Sequence, residues 1–247
     1  MFGFGRRGVR LLRTPWAELR RERDGARVME TVVSYPGVKN CTAQRAMYIE
    51  RPCVAEKRAY LALKRAFDIS GALAGLAVLA IPMSVIALII VLDSPGDPIF
   101  KQERLGKDGQ AFTIYKFRTM YTYAPEDVAT NSINVSAYTT GAGKFLRGYS
   151  IDELPQLWNV LRGDMSFVGY RPVCLSEQQL NRLRLECGVL DMRPGITGYA
   201  QVNGRDNVTM NEKVRLDQYY AQHCSFSLDL HCLLKTVKVA LSKEGAK

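Results

Sequence analysis

The sequence predicts an α+β protein: a small domain of helices with a short antiparallel hairpin, anchored by one Pro-broken re-entrant membrane helix and by amphipathic interfacial helices. Three stretches carry that expectation. Residues 69–92, ISGALAGLAVLAIPMSVIALIIVL, run for 24 residues without a charge. At 1.5 Å per residue such a helix reaches about 36 Å, enough to cross a bilayer. In residues 98–121, PIFKQERL is followed by the turn residues GKDG and then by AFTIYKFRTMY, the pattern of a β-hairpin. Residues 146–172, LRGYSIDELPQLWNVLRGDMSFVGYRP, place two adjacent acids ahead of an apolar stripe at helical spacing.

The chain divides into a basic N-terminal extension (1–62), the membrane segment (63–93) and a C-terminal domain (94–247). Formal net charge is +10. Residues 1–66 carry 15 Lys and Arg against 6 Asp and Glu, whereas the remainder carries 19 against 18. The excess therefore belongs to the N-terminal arm, which suits anionic lipid or nucleic acid. Residues 11–23 read as a basic interfacial helix with Trp16 at headgroup depth, or as a flexible arm. GFGRRG at residues 3–8 has the G-x-G-x-x-G spacing, but no strand precedes it, so it is not a dinucleotide site. The six cysteines show no C-x-x-C pair and no metal-site spacing, as expected of reduced, buried thiols in a cytosolic domain. His223 and His231 are the only histidines, which leaves a His-based zinc site or a Ser-His-Asp triad without support. The first apolar run is short and interrupted by Arg, so no secretory signal is expected.

Pro82 lies near the middle of the apolar run, where it removes a helical hydrogen bond and clashes one turn back. A spanning helix would put the basic arm and the C-terminal domain on opposite sides of the membrane. A helix that enters, turns at Pro82 and leaves puts both on one face. The basic excess points to a cytoplasmic arm, and the cysteines point to a cytoplasmic domain, so the re-entrant topology is expected.

In the hairpin, Lys116 and Arg118 are two apart and share one face, either as a site or as a solvated edge. Residues 123–143 read as a polar loop over the site. GAGK at residues 141–144 lacks the spacing of a phosphate-binding P-loop. In the central stretch, Ser150 and Glu153 have capping-box spacing. Leu154, Leu157, Trp158 and Leu161 then form a helical stripe that Gly163 ends. Asp152 and Glu153 would complement the positive end of that helix, or, facing a phosphate held there, one of them would attack phosphorus.

Residues 175–185 read as an amphipathic surface helix. RPGITGYAQVNGR (193–205) is Gly-rich with two arginines, which allows close backbone approach to a ligand and fork-like phosphate recognition. Asp217 stands near Tyr219 and Tyr220. Residues 227–242 read as an amphipathic helix, packed on the domain or lying along the membrane. Together, Asp152, Glu153 and Asp217 with Lys116, Arg147, Arg171, Arg193 and Arg205 suit a highly anionic substrate such as a nucleotide diphosphate, with Mg²⁺ neutralising charge. The membrane segment suggests that the second substrate is a lipid.

Taken in order, KRAFDISGALAG, PIFKQERLGKDGQAFTIYKFRTM, LRGYSIDELPQLWNVLRGDMSFVGYRP, RPGITGYAQVNGR and LDQYY resemble the bacterial sugar transferases. These are the monotopic phosphoglycosyl transferases that begin glycan assembly on polyprenol phosphate. The resemblance runs from about residue 64 to 241, roughly 70% of the chain. It implies that Asp152 attacks the β-phosphate of a UDP-sugar, releasing UMP, and that polyprenol phosphate then takes the phosphosugar. It implies Mg²⁺ at Asp152, with Glu153 positioning the metal or moving a proton. Lys116, Arg147, Arg171 and Asp217 match positions tied to the site, and Arg193 and Arg205 match motif residues of less defined role. A catalytic domain on the cytoplasmic face of the inner membrane is expected, with no nucleic-acid partner. The oligomeric state is open, a homodimer among the options. Two departures stand out: Ile81-Pro82 replaces the usual Ser-Pro, and Gly169-Tyr170-Arg171-Pro172 replaces G-P-R-P. Two other readings remain: a non-catalytic, membrane-anchored binding protein with a basic arm, and a membrane-bound nucleotide-sugar hydrolase.

Overall fold

The computed structural model describes residues 57–125, 135–204 and 208–242, with side chains to residue 238. The basic arm, its expected interfacial helix and Arg205 lie outside the described residues.

The longest element is α1 (Arg58–Asp93), a helix long and apolar enough to cross a membrane. It begins before residue 63, and the chain is helical on both sides of Pro82, so the expected break there is not a change of secondary structure. Val78 and Ile81 are 75% and 78% exposed, and large apolar side chains presented in a row like this need an apolar medium.

Both halves of α1 nevertheless touch the same body. Gly71 and Gly75, one turn apart, let it come close: a Cβ on Gly71 would stand 2.7 Å from the Phe167 ring, and one on Gly75 3.1 Å from Leu157. Asp68, buried, accepts from the Ser166 hydroxyl and the Phe167 N–H, both at 3.1 Å. In the other half, Ile90 packs with Phe117 and Leu146, flanked by Met83, Ile86 and Ala87. Asp93 accepts the Ala142 N–H at 2.9 Å.

The hairpin forms as expected: β1 (Ile99–Leu105) pairs antiparallel with β2 (Ala111–Phe117), Phe100 opposite Lys116. Its turn places Asp108 and Gly109 in left-handed conformation, at φ 58° and 69°. After α2 (Val135–Tyr138) comes α3 (Gly141–Gly148), whose N-cap Thr140 accepts the Gly143 N–H at 3.0 Å.

The acid stretch differs from expectation. Asp152 and Glu153 lie in a separate 3₁₀ turn (Ile151–Glu153), and α4 (Gln156–Arg162) starts after it, ending at Gly163 with φ 95°. The Ser150–Glu153 capping box does not form: Ser150 is left-handed, and the Glu153 side chain is drawn away to two cations. Within α4, Trp158 is half exposed while Gln156, Leu157, Asn159 and Val160 are buried. Asn159 is why the inward face is turned this way. It accepts the Tyr115 N–H at 3.1 Å and donates to the Thr113 carbonyl at 2.7 Å, which fastens α4 along β2.

A second, parallel pair joins β3 (Ser166–Val168) to β4 (Gly195–Thr197). A Cβ on Gly195 would lie 2.1 Å from the Gly169 nitrogen. Gly195 thus lets the backbones of β4 and the segment after β3 come together. α5 (Gln178–Glu186), α6 (Tyr199–Asn203), α7 (Met210–His223) and α8 (Phe226–Ser242) complete the described chain. A capping box unforeseen in the sequence starts α7, between Thr209 and Glu212. Asp229 of α8 ties back to α1 through Lys64 at 2.7 Å and Tyr60 at 2.8 Å.

Candidate active site

The 3₁₀ turn presents its two carboxylates differently. Glu153 is clamped: Lys116 Nζ, from the end of β2, donates to Oε1 at 2.9 Å, and Arg171 Nη2 donates to the same atom at 2.7 Å. Burial alone would raise its pKa. The Arg171 and Lys116 charges and hydrogen bonds outweigh that and hold it at about 2. Asp152 goes the other way. Burial pushes its carboxyl above the usual range, the neighbouring Glu153 charge adds to this, and Lys116 chiefly opposes it. Among the described residues no hydrogen-bond partner holds the Asp152 carboxylate. Two adjacent acids are thereby driven apart, one fixed as an anion and one left available and more basic.

The surrounding positive charge comes from separate elements. Lys116 reaches in from β2 and Arg171 from the segment after β3. Arg147, at the end of α3, donates through Nε to the Thr119 hydroxyl at 2.8 Å. Burial lowers the Arg147 pKa, and the Asp152 charge opposes that.

Three expected site residues have partners elsewhere in the domain. Arg118 is buried, and its guanidinium donates to the Ser94 hydroxyl at 3.2 Å, the Pro95 carbonyl at 3.0 Å and the Ser94 carbonyl. It closes the turn after α1 instead of sharing a binding face with Lys116. Arg193 donates through Nε to the Gly163 carbonyl at 2.8 Å, capping α4 from below. Asp217 is sealed in the interior against Arg184, Nη2 to Oδ2 at 2.6 Å.

Sequence reasoning missed Arg184, Arg104, Thr119 and Asn159. Residues 175–185 looked like a surface helix, yet Arg184 is fully buried while Arg182, two residues before it, is exposed and paired with Glu186. That i, i+2 placement on opposite sides of a helix was the available signal.

Among the described residues no three His, Cys, Asp or Glu side chains gather as a metal cluster. Mg²⁺ commonly takes one or two protein carboxylates and completes its shell with water and substrate phosphates. The unengaged Asp152 carboxylate fits that requirement, whereas the oxygens of Glu153 are already taken by Lys116 and Arg171.

The bacterial sugar transferase family profile matches residues 59–243. EpsL, a sugar transferase of Bacillus subtilis, is 40% identical over 190 residues, which cover 74% of this chain and 89% of that protein. The UDP-glucose:undecaprenyl-phosphate glucose-1-phosphate transferase of Escherichia coli is 38% identical over 182 residues, 71% of this chain and 39% of that one. The undecaprenyl-phosphate galactose phosphotransferase of Salmonella typhimurium is 34% identical over 209 residues, 77% of this chain and 43% of that one. The chain thus spans less than half the length of the latter two relatives. With a profile match over about three quarters of its length and relatives at 34–40% identity, this chain belongs to the bacterial sugar transferase family.

Proposed function

We propose that this protein transfers a sugar 1-phosphate from a UDP-sugar to polyprenol phosphate, giving polyprenol diphosphate sugar and UMP. The observation that carries the reading is the split acid pair inside an excess of cations. Three basic side chains, Lys116, Arg147 and Arg171, surround two carboxylates, only one of which is clamped. That balance invites a polyanion.

In the first step an Asp152 oxygen attacks the β-phosphorus of the donor. The bond from that phosphorus to the oxygen bridging the two phosphates breaks, and the oxygen leaves with UMP. The sugar phosphate remains on Asp152 as an acyl phosphate. In the second step a phosphate oxygen of the lipid attacks the same phosphorus, and the Asp152 carboxylate is released. Lys116, Arg147 and Arg171 hold the phosphates and offset the charge that builds on the leaving oxygen. Glu153, kept ionised, fixes Lys116 and Arg171 in place. Mg²⁺, held by Asp152 and substrate oxygens, would supply further charge neutralisation.

The lipid acceptor calls for a site at the membrane. Both halves of α1 dock on one body while the stretch around Ile81 and Pro82 stands exposed, which supports a re-entrant helix over a spanning one. On that topology the domain lies on the cytoplasmic face of the inner membrane. The reaction would be the first membrane step of capsule, exopolysaccharide or glycoprotein glycan assembly.

The test is mass spectrometry of the purified protein incubated with Mg²⁺ and a panel of UDP-sugars without lipid. A mass gain of one sugar phosphate on Asp152, discharged by polyprenol phosphate, is expected. UMP release only when lipid is present, with no adduct, would replace the covalent mechanism by direct transfer.

A further inference from the structure

Arg171 is held at two points. Its side chain bonds Glu153, and its main-chain carbonyl accepts from Arg184 Nη1 at 2.8 Å. The other donors of Arg184 go to Asp217: Nε at 3.0 Å and Nη2 at 2.6 Å, both to Oδ2. The pair is closed off from water, at 1% and 2% side-chain exposure. The ring of Tyr170 lies 5.1 Å from the guanidinium carbon and walls it in. Across the loop, Arg104 donates to the Pro172 carbonyl at 3.4 Å and bridges Cys174 through its backbone.

A buried ion pair is a poor way to gain stability, because desolvation offsets most of the attraction. What it does well is impose one geometry, since each charge tolerates only the partner arrangement that satisfies it. We propose that the Arg184–Asp217 pair is a positioning device. It fixes the main chain at Arg171, so that the Arg171 guanidinium stays on Glu153 at the mouth of the site. Asp217 then touches neither metal nor donor and acts only through Arg184. The side chain of Tyr170 completes the wall behind the pair. The proposal deepens the catalytic reading above and rests on it for its effect on turnover.

The experiment replaces the pair by apolar side chains, R184M with D217L, in the full chain, so that no charge is left buried alone. Hydrogen exchange over residues 169–174 is read first. Exchange about 10-fold faster than in the wild type is expected there, with β1 and β2 unchanged. Turnover is read in a cycle with Arg171→Ala. If the pair works through Arg171, the combined variant is no more than about 3-fold worse than Arg171→Ala alone. Unchanged exchange at 169–174 overturns the proposal, and so do fully additive losses in turnover. Should the double replacement fail to fold, Arg184→Lys keeps the charge but lacks the planar fork. It must show the same change in exchange, smaller in size, or the proposal falls. A wild-type protein that transfers no sugar phosphate would refute the proposed reaction, and the exchange measurement would still decide the positioning role.

Discussion

Two ion-pair clusters meet at Arg171, each joining carboxylates to cations but differing in burial. In the outer cluster Glu153 is bonded by Lys116 and Arg171, and the Arg171 side chain is 46% exposed. The inner cluster, Arg184 with Asp217, is almost wholly enclosed. The inner one matches a single cation to a single anion. The outer one sets three cations against two carboxylates. Charge is balanced where water is excluded and left in excess where a substrate can arrive. An unbalanced charge in the interior would cost several kcal/mol, whereas at an opening it is a standing attraction for polyanions.

The sharpest way to break this comparison is at Asp152, the acid of the outer cluster that no cation clamps. Asp152→Asn is expected to lower UMP release about 10⁴-fold or more, as removal of a nucleophile does. The melting temperature should change little, because burial already disfavours the charge that the substitution deletes. Retained turnover would place the nucleophile elsewhere. In the inner cluster the same kind of change acts on stability. Arg184→Met leaves Asp217 buried and unpaired, and about 3–5 kcal/mol of destabilisation is expected in denaturant unfolding. Adding D217L should restore most of it. A loss below about 1 kcal/mol would mean that water reaches Asp217.

This contrast was only half legible in the sequence. The hairpin, the apolar helix and the Asp152-Glu153 pair follow from periodicity and turn chemistry, which are local. Which cation serves which acid is not local. Arg118 and Lys116 sit two apart in sequence, but β2 ends at Phe117, and Arg118 turns to the carbonyls after α1. Nothing near Asp217 in sequence reveals its partner Arg184, which stands 33 positions away. The capping box was misassigned because Ser150 has the right spacing but the wrong backbone, whereas Thr209 and Glu212 have both.

The opposed pKa shifts of the pair give a pH signature. In the proposed mechanism Asp152 attacks as the anion, and its pKa is raised, so turnover should begin to fall on acidification above the usual Asp range. Glu153, held at about 2, stays ionised throughout that window. Lys116→Met removes the charge that most lowers the Asp152 pKa, so the acid limb of the pH–rate profile should move to higher pH. An unmoved limb would separate Lys116 from Asp152. Stability behaves oppositely for the two acids. The Glu153 contribution is present above its unfolded pKa near 4.5 and is lost as pH falls toward about 2. Asp152, with its folded pKa raised, instead costs stability once pH passes its unfolded value of 3.8.

The smallest expected effect sharpens the comparison most. Arg171→Ala removes a cation that is nearly half exposed, and exposed ion pairs contribute about 1 kcal/mol or less. Glu153 keeps Lys116 at 2.9 Å, so it is not left alone. Denaturant unfolding should therefore record at most about 1 kcal/mol, while turnover falls about 100-fold through loss of a donor to the reacting phosphates. That divergence between stability and activity is what distinguishes the outer cluster from the inner one. If Arg171→Ala destabilised the fold as much as Arg184→Met, the two clusters would form one structural core, and the positive excess at the opening would be a consequence of folding rather than a provision for substrate.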